Sequence, residues 1–182
     1  MYFTILSNLF CIGIFASLIF KTIDDIKNDG IHGSSCISPH IKGSSLICIL
    51  LTMSVYHFVL IPYALKLNPY QNLKISDIIF HYVMPFIMLF DWILFDEKGN
   101  FKWFDPILWT ILPYVYVAFI FAQSRFNIAD RINSHMNRYI YIFLDIGTIG
   151  IYDVLLNILC LTVAFLIVGY FIYGIDKIKV TN

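Results

Sequence analysis

Charged side chains are scarce in this sequence, and their scarcity narrows the class of protein that it can encode. Asp, Glu, Lys and Arg make up 13% of the 182 residues, whereas a typical globular domain carries roughly 25%. Hydrophobic residues reach 59% and aromatic residues 18%, with a mean hydropathy of +0.78. A soluble domain of this size could not bury so much apolar surface. The composition therefore indicates an integral membrane protein.

An excess of positive charge is also lacking, and cysteine is rare. The 12 Lys and Arg residues balance the 12 Asp and Glu residues, so nothing in the charge suggests a nucleic-acid partner. Three of the four cysteines, Cys11, Cys48 and Cys160, lie in apolar segments at no metal-binding spacing, and Cys36 is alone in a polar loop. We interpret them as small buried hydrophobic residues. The sequence thus predicts neither a metal ion nor another cofactor.

Long apolar segments are the dominant feature that is present. Five of them approach the ~20 residues that a helix needs to cross a hydrocarbon core of about 30 Å. They cover residues 2–20, 44–65, 75–94, 106–121 and 154–175. The sequence therefore predicts an all-α fold over residues 1–182, a single polytopic transmembrane helical bundle with five spans.

The loops between these segments differ in kind. Residues 27–45 read KNDGIHGSSCISPHIKGSS, a Gly- and Ser-rich stretch typical of a connector. Between residues 124 and 140, apolar positions recur every three or four residues with charged ones among them. This pattern predicts an amphipathic helix at the membrane interface, and a soluble loop helix is the alternative.

The distribution of basic residues favours one orientation in the membrane. With five spans, the loops on the side of the C-terminus hold seven of the twelve Lys and Arg residues, and the other side holds five. The positive-inside rule therefore predicts a cytoplasmic C-terminus.

The alternation of the spans gathers polar side chains in one leaflet. Because consecutive spans are antiparallel, the starts of the first, third and fifth spans lie on the same side as the end of the second. The residues placed there are Thr4, Asn8, His57, His81, Asp145, Asp153 and Asn157. This set contains enough groups for a nucleophile, a base and a side chain that orients the base.

His81 is the most informative of these residues. An ionisable side chain in an apolar span is costly and usually faces a bundle interior or a cavity, so it is a functional-site candidate. Asp91 lies ten residues further on, about 15 Å along a helix, and cannot share its site. We expect Asp91 to be structural, near the opposite interface and close to Lys98 or Lys102.

Each candidate also has a purely structural interpretation or a different function. A threonine in a spanning helix often bonds its own backbone carbonyls. Asp145, two residues before Gly147, could form a turn or cap a helix. His57 and His81 could be ligands of a haem or a metal ion. All these polar groups could instead line the translocation site of a transporter.

Several short motifs resemble, in order along the chain, a family of small bacterial six-span membrane proteins of uncharacterised function. They are YFTILSNL at residues 2–9, VYHFVL at 55–60, HYVMPFIMLFDWILFDEKG at 81–99, ILPYVYVAF at 111–119 and FLDIGTIG at 143–150. More distantly, the chain is similar to the androgen-induced and androgen-dependent membrane hydrolases. These cleave fatty acid esters of hydroxy fatty acids with an intramembrane threonine and histidine. The resemblance implies a bacterial cytoplasmic membrane protein with Thr4 as nucleophile and His81 as base.

The resemblance also raises the question of an additional helix. Members of the bacterial family usually have another spanning helix before the YFT segment, with which this chain starts. The resemblance implies either an upstream helix or a member that works with five helices. It leads us to expect weak hydrolysis, or none, by the 182 residues alone.

The leaflet argument and the resemblance lead to one hypothesis about function. It is a lipid ester hydrolase in which Thr4 attacks a carbonyl after His81 takes its proton. Asp145 would orient His81, and Asn8 would help to bind the oxyanion. The supporting residues would be His57 and Asn157, and the partners are the bilayer and a lipid-like substrate. A non-enzymatic transporter or carrier, and a haem or quinone redox protein, remain the alternatives.

Overall fold

A computed structural model describes residues 2–29, 37–67, 72–126 and 141–178 of this chain. The structure is 86% helical, and the described residues form no strand. Within these described ranges, five helical segments are long and apolar enough to cross a membrane. The prediction of an all-α transmembrane bundle with five spans is therefore confirmed.

Each span is built from one or more helical elements. Span 1 is α1, Phe3–Asp29; span 2 is α2, Pro39–Val55, a π-helical turn, Tyr56–Leu60, and α3, Ile61–Leu67. Span 3 is α4, Ile75–Ile78, a second π-helical turn, Ile79–Val83, and α5, Met84–Phe95. Span 4 consists of α6, Asp105–Trp109, and α7, Ile111–Phe126. A short helix, α8, covers Ile146–Ile149, and span 5 is the single helix α9, Ile151–Lys177.

The boundaries of the first two spans differ from those predicted. Helix α1 continues to Asp29 and α2 begins at Pro39, so much of the predicted connector over residues 27–45 is helical. Proline is favourable in the first turn of a helix, because the N–H groups of that turn have no partner within the helix and the N–H that proline lacks is not needed. The interfacial helix predicted over residues 124–140 lies outside the described residues, apart from the end of α7.

Each π-helical turn is followed by a proline at the same distance. In such a turn the backbone bonds run from residue i to i−5, here from Ile61 to Tyr56 and from Met84 to Ile79. The next residues, Pro62 and Pro85, lack an N–H and interrupt the helical bonding. The two turns lie on neighbouring antiparallel spans and bring aromatic rings of both together.

Among the described residues, two groups of buried side chains pack the interior. The larger group, around Trp92, Phe101 and Trp109, lies at the end of the bundle opposite Thr4. Gly43 allows this packing, because a Cβ there would lie 2.6 Å from the Trp109 ring. The smaller group surrounds Tyr116 near the start of span 1. Large apolar side chains on the outer faces of all five spans are exposed, as expected of a surface in contact with lipid.

A buried charged cluster lies at the end of the bundle opposite Thr4. The Lys42 ammonium is 2.6 Å from the Asp91 carboxylate and also bonds Asp96, and only 3% of Lys42 is exposed. Lys42 therefore belongs to the bundle and not to the predicted connector. The ion-pair partner of Asp91 is thus Lys42, whereas Lys98, which we expected to lie close to Asp91, donates to the backbone carbonyls of Trp92 and Asp96. Burial raises the pKa of Asp96, and the neighbouring ammonium opposes that rise.

Candidate functional site

Thr4 and His81 meet between spans 1 and 3. Thr4 lies in the first turn of α1, and His81 is the middle residue of the second π-helical turn. The hydroxyl Oγ1 of Thr4 is 3.2 Å from the imidazole Nε2 of His81, within hydrogen-bonding distance. His81 is buried, with 8% of its surface exposed. Two residues 77 positions apart thus form one polar contact within the bundle.

The second nitrogen of His81 determines the direction of that contact. Its Nδ1 is 3.0 Å from the backbone carbonyl of Asp77. A carbonyl only accepts hydrogen bonds, so Nδ1 carries the proton of the neutral ring. The unprotonated Nε2 can therefore accept a hydrogen bond from the Thr4 hydroxyl. A hydroxyl donating to the unprotonated nitrogen of an oriented imidazole is the arrangement of a nucleophile and its base.

The same contacts bear on the haem and metal alternative. Both nitrogens of His81 are engaged, and Nδ1 of His57 is 2.9 Å from the Tyr82 hydroxyl. A metal ion could reach Nε2 of His81 only by displacing Thr4. Among the described residues, no group of three or more His, Cys, Asp or Glu side chains is placed to hold a metal ion.

Tyr56 holds the His81 ring from the side of span 2. The two rings stack with centroids 3.7 Å apart and an angle of 13° between their planes. Both residues lie in π-helical turns, which occur frequently at functional sites. Sequence reasoning missed Tyr56, although the prolines Pro62 and Pro85 that follow the two turns were visible signals.

Asn8 bonds the backbone, whereas the sequence predicted that it would help to bind the oxyanion. Its Nδ2 donates to the carbonyls of Thr4, at 2.8 Å, and Phe80, at 3.2 Å. The Phe80 carbonyl would pair with residue 85 in the π-helical pattern, but Pro85 has no N–H, and Asn8 supplies the missing donor. With its amide hydrogens committed to the backbone, Asn8 does not fit the predicted role of oxyanion donor. It ties span 1 to span 3 beside the Thr4–His81 pair.

The hydrogen-bond partners of Asp145 also lie close to it in sequence. Its carboxylate accepts from the Gly147 N–H at 3.0 Å and from the Thr148 hydroxyl at 2.7 Å, and so caps α8. Both oxygens are used within the same short helix. The group that orients His81 is the Asp77 carbonyl and not Asp145.

The two remaining predicted residues belong to the surroundings of the pair. His57 is exposed and contacts Tyr82, the neighbour of His81 in the π-helical turn. Asn157 donates to the Phe143 carbonyl at 3.1 Å and holds the segment before α8 against span 5. Neither has a described hydrogen bond to Thr4 or His81.

An apolar cavity of about 100 Å³ lies between spans 1, 2, 4 and 5, and Thr4 is part of its wall. The wall is mostly aliphatic and aromatic, and it reaches Leu161 and Phe165 in span 5. Phe165 is fourteen residues from the start of α9 at Ile151, roughly 21 Å along the helix. The cavity therefore extends from the level of Thr4 toward the middle of the bundle.

The comparisons with known proteins give no relative from which a function could be transferred. No protein-family profile, no curated protein and no solved structure matches this chain. Over the residues that the structure describes, the fold is a five-span α-helical membrane bundle. Its candidate site is a Thr–His pair of which Thr4 lines an apolar cavity.

Proposed function

We propose that this protein is a membrane-embedded hydrolase of lipid esters, with Thr4 as nucleophile and His81 as general base. The observation that carries the proposal is the contact of 3.2 Å between Thr4 Oγ1 and His81 Nε2. The Asp77 carbonyl supports it, because its bond to Nδ1 leaves Nε2 as the acceptor.

The reaction has two steps. Thr4 Oγ1 attacks the ester carbonyl carbon as its proton moves to His81 Nε2, and the tetrahedral intermediate then collapses. The C–O bond to the alcohol breaks, His81 protonates the leaving alcohol, and an acyl-threonine ester remains. A water molecule then attacks this ester with His81 again as base. The fatty acid leaves, and Thr4 regains its proton.

The location of Thr4 favours an acyl substrate. An apolar cavity beside the nucleophile can take an acyl chain, while the ester group stays at the level of the first turn of α1. The positive end of a helix dipole also favours negative charge that develops there. A lipid could enter this position laterally from the bilayer.

Turnover of long-chain esters by purified protein in detergent tests the proposal. Thr4→Ala and His81→Ala should each lower kcat by on the order of 10³-fold or more, as for the loss of a nucleophile or base in other hydrolases. Thr162→Val is the matched control, because Thr162 lines the same cavity but bonds Tyr114 and its own helix. It should keep turnover close to that of the wild type.

The opposite results identify other functions. Wild-type turnover by Thr4→Ala would overturn the proposal. Flux of a solute across vesicles, with no ester hydrolysis by the wild type, would show a carrier instead.

A further inference from the structure

Tyr141 lies against the start of span 1, 137 residues from Thr4 in sequence. Its hydroxyl accepts a hydrogen bond from the Phe3 N–H at 3.2 Å. The same hydroxyl contacts the side chains of Thr4 and Tyr116. Only 7% of Tyr141 is exposed, and its ring stacks on Phe143 with centroids 5.1 Å apart. The phenol is therefore held at the proposed nucleophile by contacts on several sides.

The hydrogen-bond directions around Thr4 leave Tyr141 as the donor. Thr4 has one hydroxyl proton, which the unprotonated Nε2 of His81 accepts. Thr4 Oγ1 can then only accept from Tyr141, whose own oxygen already accepts from the Phe3 N–H. The result is a directed chain from Tyr141 through Thr4 to His81.

Tyr141 is placed to supply the hydrogen bond to the oxyanion that Asn8 does not supply. Attack on an ester creates an oxyanion one bond away from the carbon that Thr4 Oγ1 joins, so a donor in contact with Oγ1 is also near the oxyanion. Asn8 has committed its amide hydrogens to backbone carbonyls. Tyr141 and Thr4 line the same cavity, so a bound ester can meet both hydroxyls.

We propose that Tyr141 is a further catalytic residue of the reaction, positioning Thr4 Oγ1 in the resting site and donating a hydrogen bond to the oxyanion as it forms. This inference rests on the proposed function. Burial raises the pKa of Tyr141, so the phenol stays protonated and able to donate at neutral pH.

Tyr141→Phe is the direct test, because it removes only the hydroxyl. Loss of one oxyanion donor typically lowers kcat by 10²–10³-fold, and we expect a fall of that order with KM within about threefold of the wild type. Tyr116→Phe is the matched control, since Tyr116 lines the same cavity and contacts the Tyr141 hydroxyl. Its kcat should fall by less than about tenfold, because its hydroxyl bonds Tyr141 and the Phe3 backbone, one step removed from Thr4. Wild-type kcat in Tyr141→Phe would overturn the inference.

A second measurement separates catalysis from a merely structural role. Replacing Tyr141 with 2,3-difluorotyrosine keeps the ring and hydroxyl but moves the phenol pKa well below its ordinary value of about 10. Turnover of this protein should match the wild type at low pH and fall as the pH rises through the lowered phenol pKa. An unchanged pH profile would overturn the inference even if Tyr141→Phe fails to fold.

The outcomes distinguish this inference from the proposed function. If Thr4→Ala and His81→Ala lose turnover while Tyr141→Phe keeps it, only the role of Tyr141 is wrong. If Thr4→Ala keeps turnover, or if neither this chain nor a version extended by an N-terminal helix hydrolyses esters, both fail.

Discussion

The Nδ1 atom of His81 lies 3.0 Å from the backbone carbonyl of Asp77, one turn earlier in the same span. In Ser-His-Asp hydrolases a carboxylate performs this task, fixing the tautomer and stabilising the imidazolium. Here a backbone carbonyl fixes the tautomer, and stacking on Tyr56 restrains the ring. The orientation of the proposed base is therefore set by the local helix geometry.

Asp77→Asn should consequently keep most of the activity. The substitution leaves the backbone carbonyl in place, and the amide oxygen can still accept from the Lys74 N–H, as the carboxylate does at 3.3 Å. We expect kcat within about tenfold of the wild type, whereas loss of the triad aspartate in a serine protease costs about 10⁴-fold. Steady-state kinetics check this. A drop of 10³-fold or more at unchanged stability would show that the Asp77 carboxylate takes part directly.

Pro85→Ala should impair turnover without unfolding the protein. In the wild type, the Phe80 carbonyl accepts a hydrogen bond from Asn8. The new N–H at residue 85 can take the place of Asn8, and the π-helical turn that carries His81 would then shift. A misplacement of about 1 Å between reacting groups can cost about 10²-fold, and we expect kcat to fall by that order. Pro113→Ala, in span 4, is the control for loss of a proline within a span. Equal kcat in both variants would contradict a role for the π-helical turn.

Asn8→Ala should act through stability more than through oxyanion binding. It removes the amide donor of the Phe80 carbonyl, whereas the Thr4 carbonyl still accepts from the Ser7 hydroxyl at 3.1 Å. An unsatisfied buried polar group costs roughly 1–3 kcal/mol. A thermal melt in detergent should show a lower midpoint. An unchanged midpoint with kcat reduced 10²-fold would restore Asn8 as the oxyanion donor.

Lys42→Met should be one of the most destabilising substitutions in the chain. It leaves Asp91 and Asp96 without their shared ammonium, and breaking a buried ion pair from one side costs about 3–5 kcal/mol. Lys102→Met is the control, because Lys102 is exposed in the loop before α6. Denaturation midpoints of the two variants in the same detergent give the comparison. Equal midpoints would mean that the cluster contributes little to stability.

Part of this site could be predicted from the sequence, because topology alone fixes the leaflet of each span end. That argument placed Thr4 and His81 at one level of the bundle, and the structure brings their polar atoms together. Their catalytic roles stay predictions. The leaflet of a residue does not determine which way its side chain points, so the partners of Asn8 and Asp145 could not be deduced.

Other features depend on contacts between distant segments. Lys42 lies in the Gly- and Ser-rich stretch that predicts a connector. The carboxylates that compensate its burial come from span 3 and the loop after it. Tyr141 follows a stretch with an interfacial pattern, and no local signal connects it with the start of span 1. The two π-helical turns, in contrast, did have a signal in the sequence, because each is followed by a proline, Pro62 or Pro85.

Covalent labelling of Thr4 tests the central claim most directly. Purified protein would be treated with a fluorophosphonate that carries a long alkyl chain and then digested, and the labelled residue would be mapped by mass spectrometry. The account predicts one adduct on the Thr4 hydroxyl, greatly reduced in His81→Ala and absent in Thr4→Ala, with Ser7 and Thr52 unlabelled although both lie nearby. An adduct on another residue of a protein that hydrolyses esters, with Thr4 unmodified, would contradict it.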